Sequence, residues 1–94
     1  MNKQPTKKYD NKTVQESLSP DEIKKMLIEY ILVDDIDKVP LGTHIRYFSE
    51  QNGKKMFRLG GNLTKIDIEY IVLSNGKVTW SVQKATSTFF KKMS

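Results

Sequence analysis

The chain has 94 residues, no cysteine, one histidine and a formal net charge of +5 at pH 7. This length fits one domain with a single small core, and the lack of cysteine excludes disulfides and thiolate metal sites. Because no serine-, cysteine- or glycine-based catalytic motif is present, the composition argues against an enzyme and indicates a small binding protein.

Residues 1–17 are polar, contain several lysines and lack hydrophobic periodicity, which predicts a flexible basic arm. They contain no apolar core of a signal peptide, and no later stretch is apolar enough for a membrane span. We therefore expect an intracellular protein, not secreted, without membrane contact. Beyond the arm, residues 18–43 hold three lysines against six carboxylates, whereas residues 44–94 hold nine basic residues against three carboxylates. A polyanion would meet the second half.

The clearest local signal is a helix start at Ser19-Pro20-Asp21-Glu22. Serine followed three residues later by glutamate is a capping box, and proline suits the first helical position. Apolar residues then recur at helical spacing from Ile23 to Ile31, which predicts an amphipathic helix that ends near Leu32 or Val33.

Alternating patterns after Gly42 predict short strands at residues 44–48, 55–59, 66–73, 78–83 and 86–90. Between them lie a turn at residues 50–53, a bend or bulge at Gly60-Gly61 and a hairpin signal at Asn75-Gly76. The sequence therefore predicts an α+β fold over residues 18–94. One N-terminal amphipathic helix would pack on a four- or five-stranded antiparallel meander, either open or curled into a small barrel.

The remaining polar motifs favour ordinary structural roles. His44 lacks the partners of a catalytic or zinc site, and the segment from Asp34 to Asp37 lacks the glycine and closing glutamate of a calcium loop. We expect no catalytic residue, no metal, no cofactor and no small-molecule substrate.

Basic residues are interleaved with aromatic residues throughout the second half of the chain. Lysine and arginine neutralise phosphates, and aromatic rings stack on bases. The alternative interpretation places the rings in the core and leaves the lysines as a solubilising surface. The predicted nucleic-acid-binding residues are Arg46, Phe48, Lys54, Lys55, Arg58, Lys65, Lys77, Lys84, Lys91 and Lys92, with Lys7 and Lys8 of the arm.

Four segments of the chain carry a resemblance to known proteins: residues 41–48, 57–61, 73–76 and 79–83. They resemble small uncharacterised proteins of amoeba-infecting giant DNA viruses, of the marseillevirus and mimivirus kind, over about residues 18–93. The resemblance implies a viral product in the host cytoplasm or nucleus, or packaged in the virion, with DNA as the polyanion at hand.

Two functions follow as hypotheses. The first is DNA binding or DNA condensation without sequence specificity, because phosphate contacts carry no base information. The second is a protein-interaction or virion assembly module that acts as a homodimer through its helix stripe or an edge strand.

Overall fold

The computed structural model describes residues 18–93, so the predicted basic arm lies outside the described residues. All strands belong to one antiparallel sheet with the order β1-β6-β2-β3-β4-β5. The elements in chain order are helix α1 (Pro20–Met26), β1 (Tyr30–Leu32), a 3-10 turn (Ile36–Lys38), β2 (His44–Gln51), β3 (Lys54–Ile66), β4 (Tyr70–Ser74), β5 (Thr79–Gln83) and β6 (Ser87–Lys92).

The helix begins as predicted but is much shorter than predicted. Ser19 N donates to Glu22 Oε1 at 2.9 Å and Glu22 N donates to Ser19 Oγ at 3.2 Å, which confirms the capping box. The helix starts at Pro20, some way from the N-terminus, and none of its residues is buried, so it does not bury an apolar face against the sheet as expected, although Met26 contacts Arg46 of β2. Among the described residues, no helix has the length and apolarity needed to cross a bilayer.

The residues predicted as the end of the helix form the edge strand β1 instead. Tyr30, Ile31 and Leu32 pair with Lys92, Lys91 and Phe90 of β6. Aromatic and β-branched side chains favour strands, and the backbone hydrogen bonds that the odd-numbered residues of this segment make with β6 outweigh the helical spacing.

The predicted turn between β2 and β3 and the predicted bend at Gly60-Gly61 within β3 both form. Asn52 and Gly53 have φ values of 53° and 78°, which suit a two-residue type I′ hairpin. The register between β2 and β3 then shifts where Ile45 and Tyr47 oppose Gly61 and Arg58. This bulge lets the long strand β3 bend and continue into its pairing with β4.

The single strand predicted over residues 66–73 is wrong, because the chain reverses at residues 67–69. Asp67 N donates to Tyr70 O at 2.8 Å, and Asp67 Oδ1 accepts from Ile68 N at 2.7 Å. Ile68 stands at the tip of this turn and is 87% exposed. The alternation of apolar and acidic residues therefore does not mark one continuous strand here, because it runs across a turn. The local hydrogen bonds of Asp67 close this turn.

The sheet has six strands, is not closed into a barrel, and is not a simple meander. Strands β2 to β5 follow one another as predicted, but β6 returns to pair between β1 and β2. The sheet curls strongly, since Trp80 Nε1 on β5 donates to Tyr47 Oη on β2 at 3.1 Å across the curl.

The core lies inside this curl. Ile45, Leu63, Ile71 and Leu73 from β2, β3 and β4 are almost completely buried, and further apolar side chains join them from β5, β6 and the 3-10 turn. Each buried aliphatic side chain of this kind stabilises the fold by roughly 1.5–3 kcal/mol.

Candidate nucleic-acid interface

One face of the sheet combines aromatic rings with cations. Side chains alternate between faces along a strand, and the cross-strand pairs Arg46 with Phe90 and Phe48 with Phe57 place these residues opposite the core. We call this surface the aromatic face. It comprises Tyr30, Leu32, His44, Arg46, Phe48, Lys55, Phe57, Thr88, Phe90 and Lys92, together with the carboxylate of Glu50, which lies opposite Lys55.

Three phenylalanines form the centre of the aromatic face. The ring centroid of Phe48 lies 5.3 Å from that of Phe57 and 5.9 Å from that of Phe90, in tilted and edge-on arrangements. Phe57 is buried, whereas Phe48 and Phe90 are half-buried. The cluster therefore stabilises this side of the sheet and also leaves parts of two rings open to solvent.

Arg46 is held in place by its neighbours on the aromatic face. Its guanidinium carbon lies 4.9 Å from the centroid of the Tyr30 ring, a cation–π contact. Its Nη1 donates to Met26 Sδ at 3.7 Å, and its Nε is buried without a hydrogen-bond partner among residues 18–93. An unsatisfied guanidinium donor costs free energy, so Arg46 is fixed in position but incompletely paired.

His44 adds a titratable group beside these cations. Its Nδ1 lies 2.9 Å from Tyr30 Oη. Burial lowers the pKa of His44 below its usual value of 6.5, and the positive charges of Arg46 and Lys92 lower this pKa further. The ring is therefore neutral at pH 7, and Tyr30 and His44 form a neutral hydrogen-bonded pair within a cationic surface.

We expect the stability of the fold to fall on mild acidification because of His44. Its folded-state pKa lies below 6.5, so the unfolded chain takes up the proton first as the pH drops. The contribution is complete above pH 6.5 and is lost as the pH falls through the folded-state pKa. Thermal melting followed between about pH 7.5 and pH 5.5 should show this loss, and His44→Gln should remove it.

The carboxyl group of Asp67 also titrates with a shifted pKa, but it does not affect the pH dependence of melting that is expected from His44. The backbone hydrogen bond from Ile68 is the main cause that lowers the pKa of Asp67 below its usual value of 3.8. The stabilisation from Asp67 is therefore constant between about pH 7.5 and pH 5.5, and it is lost only at pH values below about 3.8. A pH dependence that persists unchanged in His44→Gln would contradict the assignment to this ring.

The predicted binding residues do not form one continuous patch. Four of them, Arg46, Phe48, Lys55 and Lys92, lie on the aromatic face, and Lys54 is exposed at the adjoining hairpin. Arg58 and Lys91 lie on the opposite face, since they pair with Tyr47 and Ile45. Lys65 is the last residue but one of β3, Lys77 lies in the β4–β5 hairpin and Lys84 follows β5. Lys7 and Lys8 lie outside the described residues.

Three lysines of this set make ion pairs of different strength. Lys84 Nζ lies 2.6 Å from Asp37 Oδ1, and its side chain is only 18% exposed. The Lys65–Asp67 and Lys92–Glu29 pairs are longer, at 3.7 and 3.6 Å, and their side chains are exposed. Exposed pairs contribute little, so Lys65 and Lys92 remain open to another anion, whereas Lys84 fastens the 3-10 turn.

The structure also contains a groove that the sequence did not predict. It has a volume of about 640 Å³ and lies where β5 curls towards β2, with Tyr47, Arg58 and Trp80 among its lining residues. Burial is the main cause that raises the pKa of the Tyr47 hydroxyl, which accepts the Trp80 hydrogen bond. Because the groove arises from the curl of the sheet, no local pattern marked it. Within residues 18–93, no group of three metal-ligating side chains converges.

Comparison with known proteins gives one informative similarity. The chain is 57% identical over 84 residues to "Uncharacterized protein L202" of Acanthamoeba polyphaga mimivirus. The match covers 86% of this chain and 56% of the relative, so the chain spans little more than half of that relative's length. No protein-family model and no solved structure matches the chain.

Proposed function

Given this similarity, which confirms the predicted resemblance to uncharacterised giant-virus proteins, we propose that the chain binds DNA without sequence specificity. The aromatic face is the proposed interface. The observation that carries the proposal is the cross-strand placement of Arg46, Lys55 and Lys92 around the half-buried rings of Phe48 and Phe90.

The charges on this face suit phosphates better than bases. Lys55 lies on this face, whereas Lys54 pairs with Gln51 and alternates to the other side, but both are exposed beside the β2–β3 turn. Lysine contacts phosphate as a point charge. Lys92 makes only an exposed pair with Glu29, so exchanging that partner for a phosphate costs little. Side chains of this kind fix the position of a duplex but do not read its sequence.

Charge reversal at the hairpin next to the aromatic face tests the location of the interface. The double variant Lys54→Glu, Lys55→Glu should weaken binding to a short duplex by at least about tenfold at low salt, because two phosphate contacts become repulsive. Fluorescence anisotropy over a salt series should give a log–log slope of about −3 to −4 for the unaltered protein, as expected for four phosphate contacts, and a shallower slope for the variant.

The matched control changes the same charges elsewhere. Lys65→Glu, Lys77→Glu alters the net charge equally, but Lys65 lies near the end of β3 and Lys77 lies in the β4–β5 hairpin, both away from the β2–β3 turn. Binding should fall clearly less in this variant. Equal losses in the two variants would contradict an interface on the aromatic face, and no binding at low salt would contradict DNA binding altogether.

The alternative function, a homodimeric interaction module for virion assembly, is favoured by a different feature. That feature is the outer edge of β1, which pairs with no other strand among residues 18–93.

A further inference from the structure

The outer edge of β1 has backbone groups that are not used within the sheet. Val33 N donates to Phe89 O and Met93 N donates to Glu29 O, so the odd-numbered residues of this segment face β6. By alternation, Tyr30 and Leu32 direct their backbone groups outwards. Tyr30 N donates to Leu27 O at 3.0 Å, which leaves Tyr30 O with both backbone groups of Leu32 at the open edge.

Exposed apolar side chains surround the same edge. Ile28 is 71% exposed, Leu32 56%, Met93 46% and Ile31 42%. Soluble chains protect an edge strand by keeping it short, as β1 is with three residues, and also by placing a proline, a bulge or a lysine in it, none of which β1 contains. An apolar strand edge that lacks these blocking features marks a place where another strand is added.

We propose that a second copy of this chain pairs with β1 in antiparallel fashion, about a two-fold axis at Ile31. In this register, Leu32 N of each copy donates to Tyr30 O of the other copy, so two free groups per chain gain partners. Ile31 meets its own symmetry mate in a non-hydrogen-bonded pair, where side chains approach most closely. The two sheets become one continuous sheet of twice the width.

The outer edge of β1 is complementary to itself, so a second copy of this chain fits it. The outward acceptor Tyr30 O and the outward donor Leu32 N lie on either side of Ile31, with Leu32 O as a further outward acceptor. A donor and an acceptor on opposite sides of the axis are what a two-fold pairing needs. The charges also match, because acidic Asp34 and Asp35 follow β1, whereas Lys24 and Lys25 end the helix that precedes it. Antiparallel pairing carries the acidic end of one copy towards the basic end of the other.

The dimer does not depend on the proposed function, but it would extend it. On the aromatic face, Phe90 neighbours Leu32, and the proposed pairing places Leu32 beside Tyr30 of the second copy. The two aromatic faces would then join across the axis into one surface. Two joined interfaces bind a duplex more tightly than one, because the second contact is intramolecular.

Sedimentation velocity of the full chain without nucleic acid tests the dimer separately from DNA binding. We expect a dimer at micromolar concentration, and Ile31→Lys should weaken association by at least about tenfold, since it buries two like charges on the axis. Ile68→Lys is the matched control, because it makes the same exchange at an exposed turn away from β1. This control should leave association unchanged.

A second variant removes the donor rather than the side chain. Leu32 N points away from β6, so Leu32→Pro deletes the proposed intermolecular bond without removing a bond of the sheet. It should also yield monomers, with circular dichroism to verify that the fold is retained, and it decides the question should Ile31→Lys fail to fold. A chain that stays monomeric up to about 100 µM, or a dimer that survives a folded Leu32→Pro, would overturn the proposal.

Discussion

Replacing Gly60 with alanine is expected to destabilise the fold by about 3–5 kcal/mol, which approaches the whole stability of a small domain. A Cβ at this position would lie 1.7 Å from Ile45 O and 2.7 Å from Ile45 C. Neither atom can move freely, because Ile45 is paired with β3 on one side and β6 on the other. In addition, Gly60 has a φ of +76°, which side chains other than glycine rarely adopt. Urea unfolding followed by circular dichroism measures the loss.

Gly53→Ala is the matched control for this effect. Gly53 has nearly the same backbone conformation, with a φ of +78°, but nothing lies within 4 Å of a Cβ built there. This substitution should therefore cost only the backbone preference, about 1–2 kcal/mol. Similar losses at Gly60 and Gly53 would show that the close approach of β3 to Ile45 is not what requires glycine.

Replacing Ile71 with alanine is the second change with a large expected effect, a loss of about 2–5 kcal/mol. Ile71 is completely buried at the centre of β4, between the pairs with Ile66 and Val82. Truncation removes apolar contacts and leaves a cavity that neighbours on both sides of the strand cannot fill without breaking their register. Urea unfolding should show a lower midpoint with an unchanged slope.

Ile68→Ala removes the same atoms three residues earlier in the chain. Ile68 is 87% exposed at the β3–β4 turn, so the free energy of unfolding should change by no more than about 0.5 kcal/mol. A loss at Ile71 as small as that at Ile68 would contradict the position of the core inside the curl.

The features that the sequence predicted correctly are those that neighbouring residues decide. Ser19 and Glu22 form their capping box through bonds over three positions, and Asn52-Gly53 reverses the chain through its own dihedral angles. Gly60-Gly61 bends β3 for the same kind of reason. Such features depend on the geometry of a few neighbouring residues, so they can be predicted directly from the sequence.

The features that were missed depend on partners far along the chain. The segment Tyr30–Leu32 fits a helical stripe, and only its pairing with the last strand makes it β1. Similarly, nothing near Ser87 indicates that β6 passes between β1 and β2. The order of the strands depends on how the whole sheet buries its apolar side chains, and no short stretch of sequence reveals this.

The candidate site was predictable only within single strands. Arg46 and Phe48 share a face because they are two residues apart, whereas Lys55 and Arg58 are three apart and must face opposite sides. The alternation alone therefore indicates that Lys55 and Arg58 do not share one binding surface. The positions of Lys77 and Lys84 relative to the aromatic face depend on the curl of the sheet, which the sequence did not reveal.

The placement of β6 also affects how the molecule is made. Within residues 18–93, β1 can join the sheet only after synthesis has reached Phe90 to Lys92, because these residues supply the strand with which it pairs. A nascent chain emerging from the ribosome therefore holds the apolar residues Ile31 and Leu32 uncovered until nearly all of the described fold has been translated. Pairings between such distant segments slow folding, so we infer that β1 joins the sheet late in folding.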